Sequence, residues 1–501
     1  MRRALIMILV LLPGAAWAAQ GDEPQRQTFY VNNEVGSDRF DGLSPQPLAG
    51  GQSGPFATIM HAVRKATVGA KIVLACTAHD YREGVEIEGY HKGRADLPLV
   101  IEGQGATVSG LVSIASARWT QLKDDVYWFE NRDANGVPGP MPNSNWLGFE
   151  KCKAWFPEPQ APLIFFLNGK PGPHSQDLDG IPVGGFFYDA AARPRRLYFR
   201  LPQGAAVADC NVEMPINRGV YVSDDYVVVR NLASKYSQDD GFAGFWGQGV
   251  VFQNINGSYN CDQGISFHGT STTFVDGGLF EHNGGCGIVD VMSSVTVYRN
   301  VTVRDNLPIG ALFNGHAHTM LGCRIYRNKG WQVEAGRKTA INLTNCLIDG
   351  SDANGPRWSG VQADIARLDH CTIVNCATGV RWTQCGSIEN SIIAQCTGAA
   401  IVVAKPALGL VGVRKTLLGL GTITLDDRKI DRAKWDDAVK DLKEFKDILL
   451  DPPALVGPVY RLPEDSPHYR AADSNMVLGA VVKEFAGWNG PSPSTQPEPH
   501  P

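Results

Sequence analysis

Between residues 225 and 405 the sequence returns to the same phrase about every 23 residues. Gly241, Gly264, Gly287 and Gly310 are each 23 apart, within Asp239-Asp240-Gly241-Phe242, Asp262-Gln263-Gly264-Ile265, Gly287-Ile288 and Gly310-Ala311. The register then loosens through Gly330, Gly360, Gly379 and Gly398. A second column runs Asn260, Asn283, Asn306, Asn328, at spacings of 23, 23 and 22. A third sets a turn residue before an aliphatic one, as Asn231-Leu232, Asn254-Ile255 and Asn300-Val301. Cys323, Cys346, Cys371 and Asn390 hold about the same place further on. A fixed period of this length means one structural unit stacked many times.

Each unit contains three short β-type runs, for example Val250-Val251-Phe252, then Ile255, then Gly264-Ile265-Ser266-Phe267-His268. No run of that length buries a face alone, so the units must share one continuous interior. The pattern predicts an all-β parallel β-helix with coils stacked about 4.8 Å apart. Asparagine columns then form side-chain amide ladders inside the turns. A leucine-rich repeat would need an L-x-x-L-x-L pattern, which is absent.

Composition agrees. With 501 residues and 43% hydrophobic content there is material for a large core, and the length suggests more than one domain. Fifty-five glycines and 31 prolines make the chain turn-rich, and a coiled coil is excluded. Charged residues are 19% with a net charge of -5, so no basic surplus is present to hold a phosphate backbone, and nucleic acid is excluded as a partner.

Arg2 and Arg3 precede an apolar run from Ala4 to Leu12, followed by Pro13-Gly14 and Ala16-Trp17-Ala18. This is the layout of a signal peptide over 1–18, which predicts a secreted or periplasmic protein. The run is shorter than the roughly 20 residues a bilayer span needs, and no later stretch offers one. Loss of both arginines takes the net charge from -5 to -7. Eleven cysteines remain, an odd number, without C-x-x-C or zinc spacing. Those after residue 320 fall inside the repeats and read as packing residues. Cys152 with Cys210 is a candidate disulfide of an exported chain.

Further phrases carry a resemblance. Tyr30-Val31-Asn32 leads to Gly36-Ser37-Asp38 and Asp41-Gly42; Gly54-Pro55-Phe56-Ala57-Thr58-Ile59 runs into a predicted helix over 59–68, then Lys71-Ile72-Val73-Leu74. Tyr81-Arg82-Glu83, Pro98-Leu99-Val100-Ile101, Arg461-Leu462, Ser466-Pro467 and Leu478-Gly479-Ala480 continue it. With the repeats, the chain resembles the right-handed parallel β-helix superfamily of pectate lyases, polygalacturonases and related exported carbohydrate-active proteins. The resemblance implies the fold and a polysaccharide substrate, and leaves the reaction open, because one such fold hosts lyases, hydrolases, epimerases and adhesins.

The chain thus divides into the signal peptide (1–18), an N-terminal cap and first coils (28–111), a β-rich insertion (112–218), the repeats (219–420), a C-terminal helix and closing segment (421–485) and a Pro-rich tail (486–501). A hairpin is expected at Phe186-Phe187-Tyr188 and Leu197-Tyr198-Phe199. The helix is expected over 431–450, with Trp435, Val439, Leu442 and Phe445 on one packing stripe. The protein is expected to be a monomer.

Strand alternation places chemistry. One and three residues after each repeat glycine should point inward: Ile265 and Phe267, Ala311 and Phe313, Trp331 and Val333. The outward column at four reads Phe245, His268, Val291, Asn314, Glu334, Asp364, Thr383. The resemblance implies a substrate groove on the outer face of this strand, beside the preceding turn. There Asp239, Asp240, Asp262 and His268 gather, with Asn314 and Glu334 one to three coils on. Paired carboxylates suit glycoside hydrolysis, one as acid and the other as base or nucleophile. Ser237-Gln238-Asp239-Asp240-Gly241 resembles the Asp-Asp motif of polygalacturonases. The Asn-Thr-Asp segment that should precede it is replaced by Asn260-Cys261-Asp262 after it. Gly315-His316-Ala317-His318 and Gly336-Arg337-Lys338 are loose substitutes for the family's other motifs. The order argues against a true polygalacturonase.

Two alternatives stand beside the hydrolase. A polysaccharide lyase would abstract a proton next to a uronate carboxylate, with calcium on Asp239, Asp240, Asp262 and Asp290 as neutraliser. Lys338, Arg337 or His268 would then be the base. Otherwise no cofactor is expected. Asp290 is unusual, because parity points it inward. A non-catalytic carbohydrate-binding or cell-surface β-helix is the other alternative. Acids clustered between 239 and 290, against bland later coils such as Ala399-Ala400-Ile401-Val402-Val403, favour a site on the early coils. Single residues also have plainer readings. An Asp before a turn glycine serves as an Asx-turn, and His268, or His316 with His318, as surface groups. Trp146, Trp155 and Trp246 serve either as packing residues or as sugar-stacking surfaces.

Overall fold

The computed structural model describes residues 26–130 and most of 165–448, with scattered positions between 455 and 480. The expected signal peptide, Cys152, Trp146, Trp155, Trp435, Val439 and the Pro-rich tail lie outside the described residues. The main body is a stack of parallel coils whose strands join into one 28-stranded system. Each coil feeds three faces. Face A runs through Val220–Val222, Phe242–Phe245, Ile265–His268, Ile288–Val291 and Ala311–Asn314, each paired in parallel with the next. Faces B and C share one bent strand per coil, such as Val227–Lys235, Val250–Ser258 and Val295–Arg304.

The asparagine columns explain the corners. The bend between faces B and C falls on one residue with left-handed backbone: Asn231 (φ 54°), Asn254 (φ 49°), Asn300 (φ 56°). Asparagine accepts that conformation because its short polar side chain bonds locally. Asn254 Nδ2 donates to Asn231 Oδ1 at 2.7 Å. The other column is an interior ladder: each side-chain amide donates to the Oδ1 of the next, Asn260 to Asn283 at 3.0 Å, Asn283 to Asn306 at 2.8 Å and Asn306 to Asn328 at 2.9 Å. The ladder ends on Gln332 Oε1, 2.9 Å from Asn328 Nδ2. Glycine and asparagine columns require one another. A Cβ on Gly241 would lie 2.4 Å from Asn260 Nδ2, and one on Gly310 would lie 2.7 Å from Asn328 Nδ2.

The interior is apolar row by row. Phe242, Ile265, Ile288 and Ala311 form one row and are fully buried. In the next, Phe267 and Phe313 flank Asp290. A buried Phe or Ile contributes roughly 1.5–3 kcal/mol, so the stack is stable only as a shared core. Cys323, Cys346 and Cys371 are buried inside, with each Sγ donating to a backbone carbonyl of the preceding coil at 3.4–3.5 Å. Cys210 carries a free thiol, and its expected partner, Cys152, lies outside the described residues.

One end of the stack is closed by the helix Ile59–Lys65, whose Ile59, Ala62 and Val63 face the core. Thr58 caps it, its hydroxyl accepting the His61 N–H, and Asp38 in turn holds the Thr58 hydroxyl at 2.8 Å. The insertion contributes two four-stranded sheets. One contains the expected hairpin, Phe186–Asp189 against Arg196–Arg200. Its core reaches Cys261, and the Phe166 ring meets Tyr236 at 4.9 Å, so it covers the outer side of face C on the early coils. Ala472 and Ala480 cover the same face on the late coils, against Leu347, Val374 and Ile392. On face A the outward strand-end residues Phe245, His268, Val291 and Asn314 are half-buried, whereas the outward Ala243, Ser266 and Val289 are buried.

Two expectations change. The helix expected over 431–450 contains a strand, Glu444–Lys446, paired in parallel with Val411–Arg414. Leu442 and Phe445 still pack on the core, so the apolar residues were real and their period misled. After Gly330 the register slips by two. Val333 aligns with Ala311 and Ala335 with Phe313, leaving Trp331 half-buried and outside the inward column. Glu334 therefore aligns with Leu312, two after the glycine position rather than four. The described residues include no helix long and apolar enough to cross a membrane.

Candidate functional site

The turn entering face A carries Asp239 and Asp240, and the turn one coil on carries Asp262. One carboxylate oxygen from each lies within 4.8 Å of the others. The coil stacking produces this. Asp239 O accepts the Asp262 N–H at 3.2 Å, so equivalent side chains leave the turns side by side. Asp239 and Asp262 are half-buried, whereas Asp240 is 4% exposed.

Asp240 is fixed on both oxygens. Oδ1 accepts the Gln263 N–H at 3.1 Å, and Oδ2 meets the hydroxyl of Ser266. Ser266 Oγ also lies 3.2 Å from His268 Nε2, so one hydroxyl links the buried acid to the imidazole. Burial, then the charges of Asp239 and Asp262, pushes the Asp240 carboxyl well above the ordinary carboxylate range. His268 moves the other way: burial lowers its pKa, against the opposite pull of Asp290 and Asp239. Tyr221 donates its hydroxyl to Asp239 Oδ2 at 2.8 Å, and its phenol is pushed up by burial and by Asp240 and Asp239. Burial thus pushes both Asp240 and His268 toward their neutral forms, beside Asp239.

An aromatic strip adjoins the acids. Tyr221 stacks on Phe245 at 6.2 Å, and Phe245 stacks on His268 at 4.4 Å and 12°. Trp246 follows at 5.5 Å from Phe245 and is 57% exposed.

The remaining candidates separate. Asn314 stands on the outer side of face A, two coils beyond His268. Glu334 faces out one coil further, its carboxyl pushed up by burial. His316 is exposed just after face A, and Arg337 and Lys338 are exposed at the bend within the strand Trp331–Thr344, all on coils beyond the acids. The Lys338 N–H donates to Asp364 Oδ2 at 2.7 Å. Asp290 is enclosed in the interior and does not join the three acids. Tyr298 donates to it at 3.0 Å, Thr296 Oγ1 is 2.6 Å away, and His318 Nδ1 is 3.4 Å away. His318 is equally enclosed and stacks on Phe313 at 4.7 Å, so His316 and His318 point to different surroundings. Ser266 and Tyr221 were missed from the sequence. Ser266 had a signal, being a polar residue in an outward column that continues with Val289 and Leu312.

A second acidic group, Glu281, His282 and Asp305, lies at the face C end of the same turns, on the following coils. Arg304 pairs with Glu281 and Arg327 with Asp305, which accounts for it as surface ion pairing.

The model of a right-handed β-helix region matches residues 201–356. No curated protein matches the chain. Among solved structures, XylC in complex with xylose aligns at 12% identity over 86% of this chain and 87% of its own, with a TM-score of 0.50. A glycoside hydrolase aligns at 12% over 85% and 96%, with a TM-score of 0.45. The pectate lyase Pel9A aligns at 11% over 92% and 98%, with a TM-score of 0.41. At 12% identity the likeness to XylC is one of fold.

Proposed function

The chain is a right-handed parallel β-helix, and from that premise we propose that it is an exported protein that cleaves a polysaccharide, as a glycoside hydrolase. The observation that carries the reading is the cluster of Asp239, Asp240 and Asp262, one carboxylate oxygen from each within 4.8 Å of the others, with burial pushing the Asp240 carboxyl up. Three carboxylates that close cannot all ionise, and burial decides which one stays neutral. Asp239, supported by the Tyr221 hydroxyl, and Asp262 serve as base or nucleophile. His268 delivers a proton to the glycosidic oxygen from Nδ1 while Nε2 takes one from Ser266, which is refilled by Asp240. The anomeric C–O bond breaks, and the leaving alcohol keeps that proton. Water adds OH to the anomeric carbon and its other proton to Asp239 or Asp262, and return of that proton to Asp240 leaves the imidazole and the serine unchanged.

One observation favours a lyase as the second reading: the same three acids offer oxygens at a spacing that suits a hard divalent cation. If calcium is held, Asp239, Asp240 and Asp262 hold it without Asp290, and it supplies charge to neutralise a uronate carboxylate. His268 then suits the base better than Lys338 or Arg337, which lie three coils further along.

The test is a panel of neutral and uronic polysaccharides, with xylan included because XylC holds xylose. Reducing ends and unsaturated ends are followed with and without a chelator. Reducing ends without unsaturation, indifferent to chelation, are the expected result. Unsaturated ends lost on chelation would replace the hydrolase with the lyase.

A further inference from the structure

The corner where face A turns into face B breaks a local rule. Three successive coils place a left-handed residue there: Trp246 (φ 62°), Gly269 (φ 66°) and Met292 (φ 65°). Glycine adopts that backbone freely, whereas a bulky residue there is strained. Trp246 and Met292 are nonetheless among the most exposed apolar side chains described, at 57% and 64%. Neither strain nor exposure stabilises the fold.

The arrangement is built. The Trp246 indole lies over Gly269, where a Cβ would come within 2.5 Å of Cδ1 and Nε1. Gly269 is buried beneath it, and its N–H points at Met292 Sδ, 3.4 Å away. The three residues make one apolar shelf with its outer side in solvent. The shelf continues the aromatic strip, because Gly269 directly follows His268 and Trp246 directly follows Phe245.

We infer that Trp246, Gly269 and Met292 form a stacking subsite for the apolar face of a pyranose ring, occupied by the saccharide chain whose scissile bond lies at Asp239 and Asp262. This rests on the proposed function. The acids stand at one end of the face A strands and the shelf at the other, about 13 Å apart over a four-residue strand. The chain therefore runs along the strands, transverse to the helix axis, and only a saccharide long enough to span them reaches the shelf.

The test is calorimetric binding of xylose, cellulose and galacturonan oligomers, as dimers and hexamers, to the full chain carrying Asp262→Asn. A hexamer is expected to bind at least 10-fold more tightly than its dimer. Adding Trp246→Ala should remove most of that advantage, Trp246→Phe should keep part of it, and Leu410→Ala, an equally exposed residue on a late coil, should change nothing. A hexamer bound equally by the Trp246→Ala protein would overturn the subsite and leave the proposed function standing. No binding of any oligomer before Trp246 is touched would overturn both.

Discussion

Replacing Asn283 by alanine tests the ladder that sets the coil geometry. Asn283 Oδ1 accepts the Asn260 N–H and Asn260 Nδ2, both at 3.0 Å, and its Nδ2 donates to Gly257 O at 3.0 Å and Asn306 Oδ1 at 2.8 Å. Asn260 and Asn283 are 2% and 1% exposed, so water cannot replace these bonds without opening the coil. The Asn260 N–H loses its acceptor outright, while Asn260 Nδ2 keeps only Ser234 O at 3.4 Å. With about 1–3 kcal/mol for each buried group left unsatisfied, the substitution costs about 2–4 kcal/mol. Urea denaturation followed by far-UV circular dichroism measures it, with hydrogen exchange showing whether the loss centres on neighbouring coils, as expected of a stack held by nearest neighbours. Asn300→Ala is the comparison, because that corner asparagine is exposed and its loss costs about 1 kcal/mol of backbone strain. If Asn283→Ala costs no more than Asn300→Ala, the ladder is a by-product of the fold and the reasoning fails.

Other predictions follow from the same geometry. Asp240 holds its proton more tightly folded than unfolded, so the folded form loses stability as pH rises above the ordinary carboxylate range. Asp240→Asn keeps both bonding positions and should flatten that slope, with a neutral-pH melting temperature no lower than the parent's and activity lost. Destabilisation beyond about 1 kcal/mol would contradict the protonated assignment. His268 has the opposite sign: its lowered pKa makes stability fall as pH drops below the usual histidine value, and His268→Gln should flatten the acid side of the melting profile. Trp382→Ala empties a fully buried site and removes its 3.3 Å bond to Ala366 O, at a cost of about 3–5 kcal/mol by denaturation.

The coil length, the glycine and asparagine columns and the three acids were legible because each repeats with the stacking itself. A residue every 23 positions occupies one line along the stack, so sequence spacing is spatial adjacency. Reading failed where the period failed. Two extra residues after Gly330 moved Glu334 from one outward column to another. The segment 431–450 has helical apolar spacing, but the open edge of Val411–Arg414 offered backbone partners to Glu444–Lys446 and tertiary pairing won. Asp290 was placed inward by parity, yet only the structure supplies Thr296, Tyr298 and His318 as the partners that make a buried acid tolerable. The Ser266 link between Asp240 and His268 needs a side-chain direction, which spacing does not carry.

Turnover by the parent, Asp239→Asn and Asp262→Asn proteins, on the polysaccharide the parent cleaves best, tests the central claim most directly. Each substitution should lower kcat by about 100-fold or more while the circular dichroism spectrum and melting temperature stay those of the parent. Full turnover by either variant, or a parent that releases no product from any polysaccharide, would contradict the assignment of this face as a catalytic site.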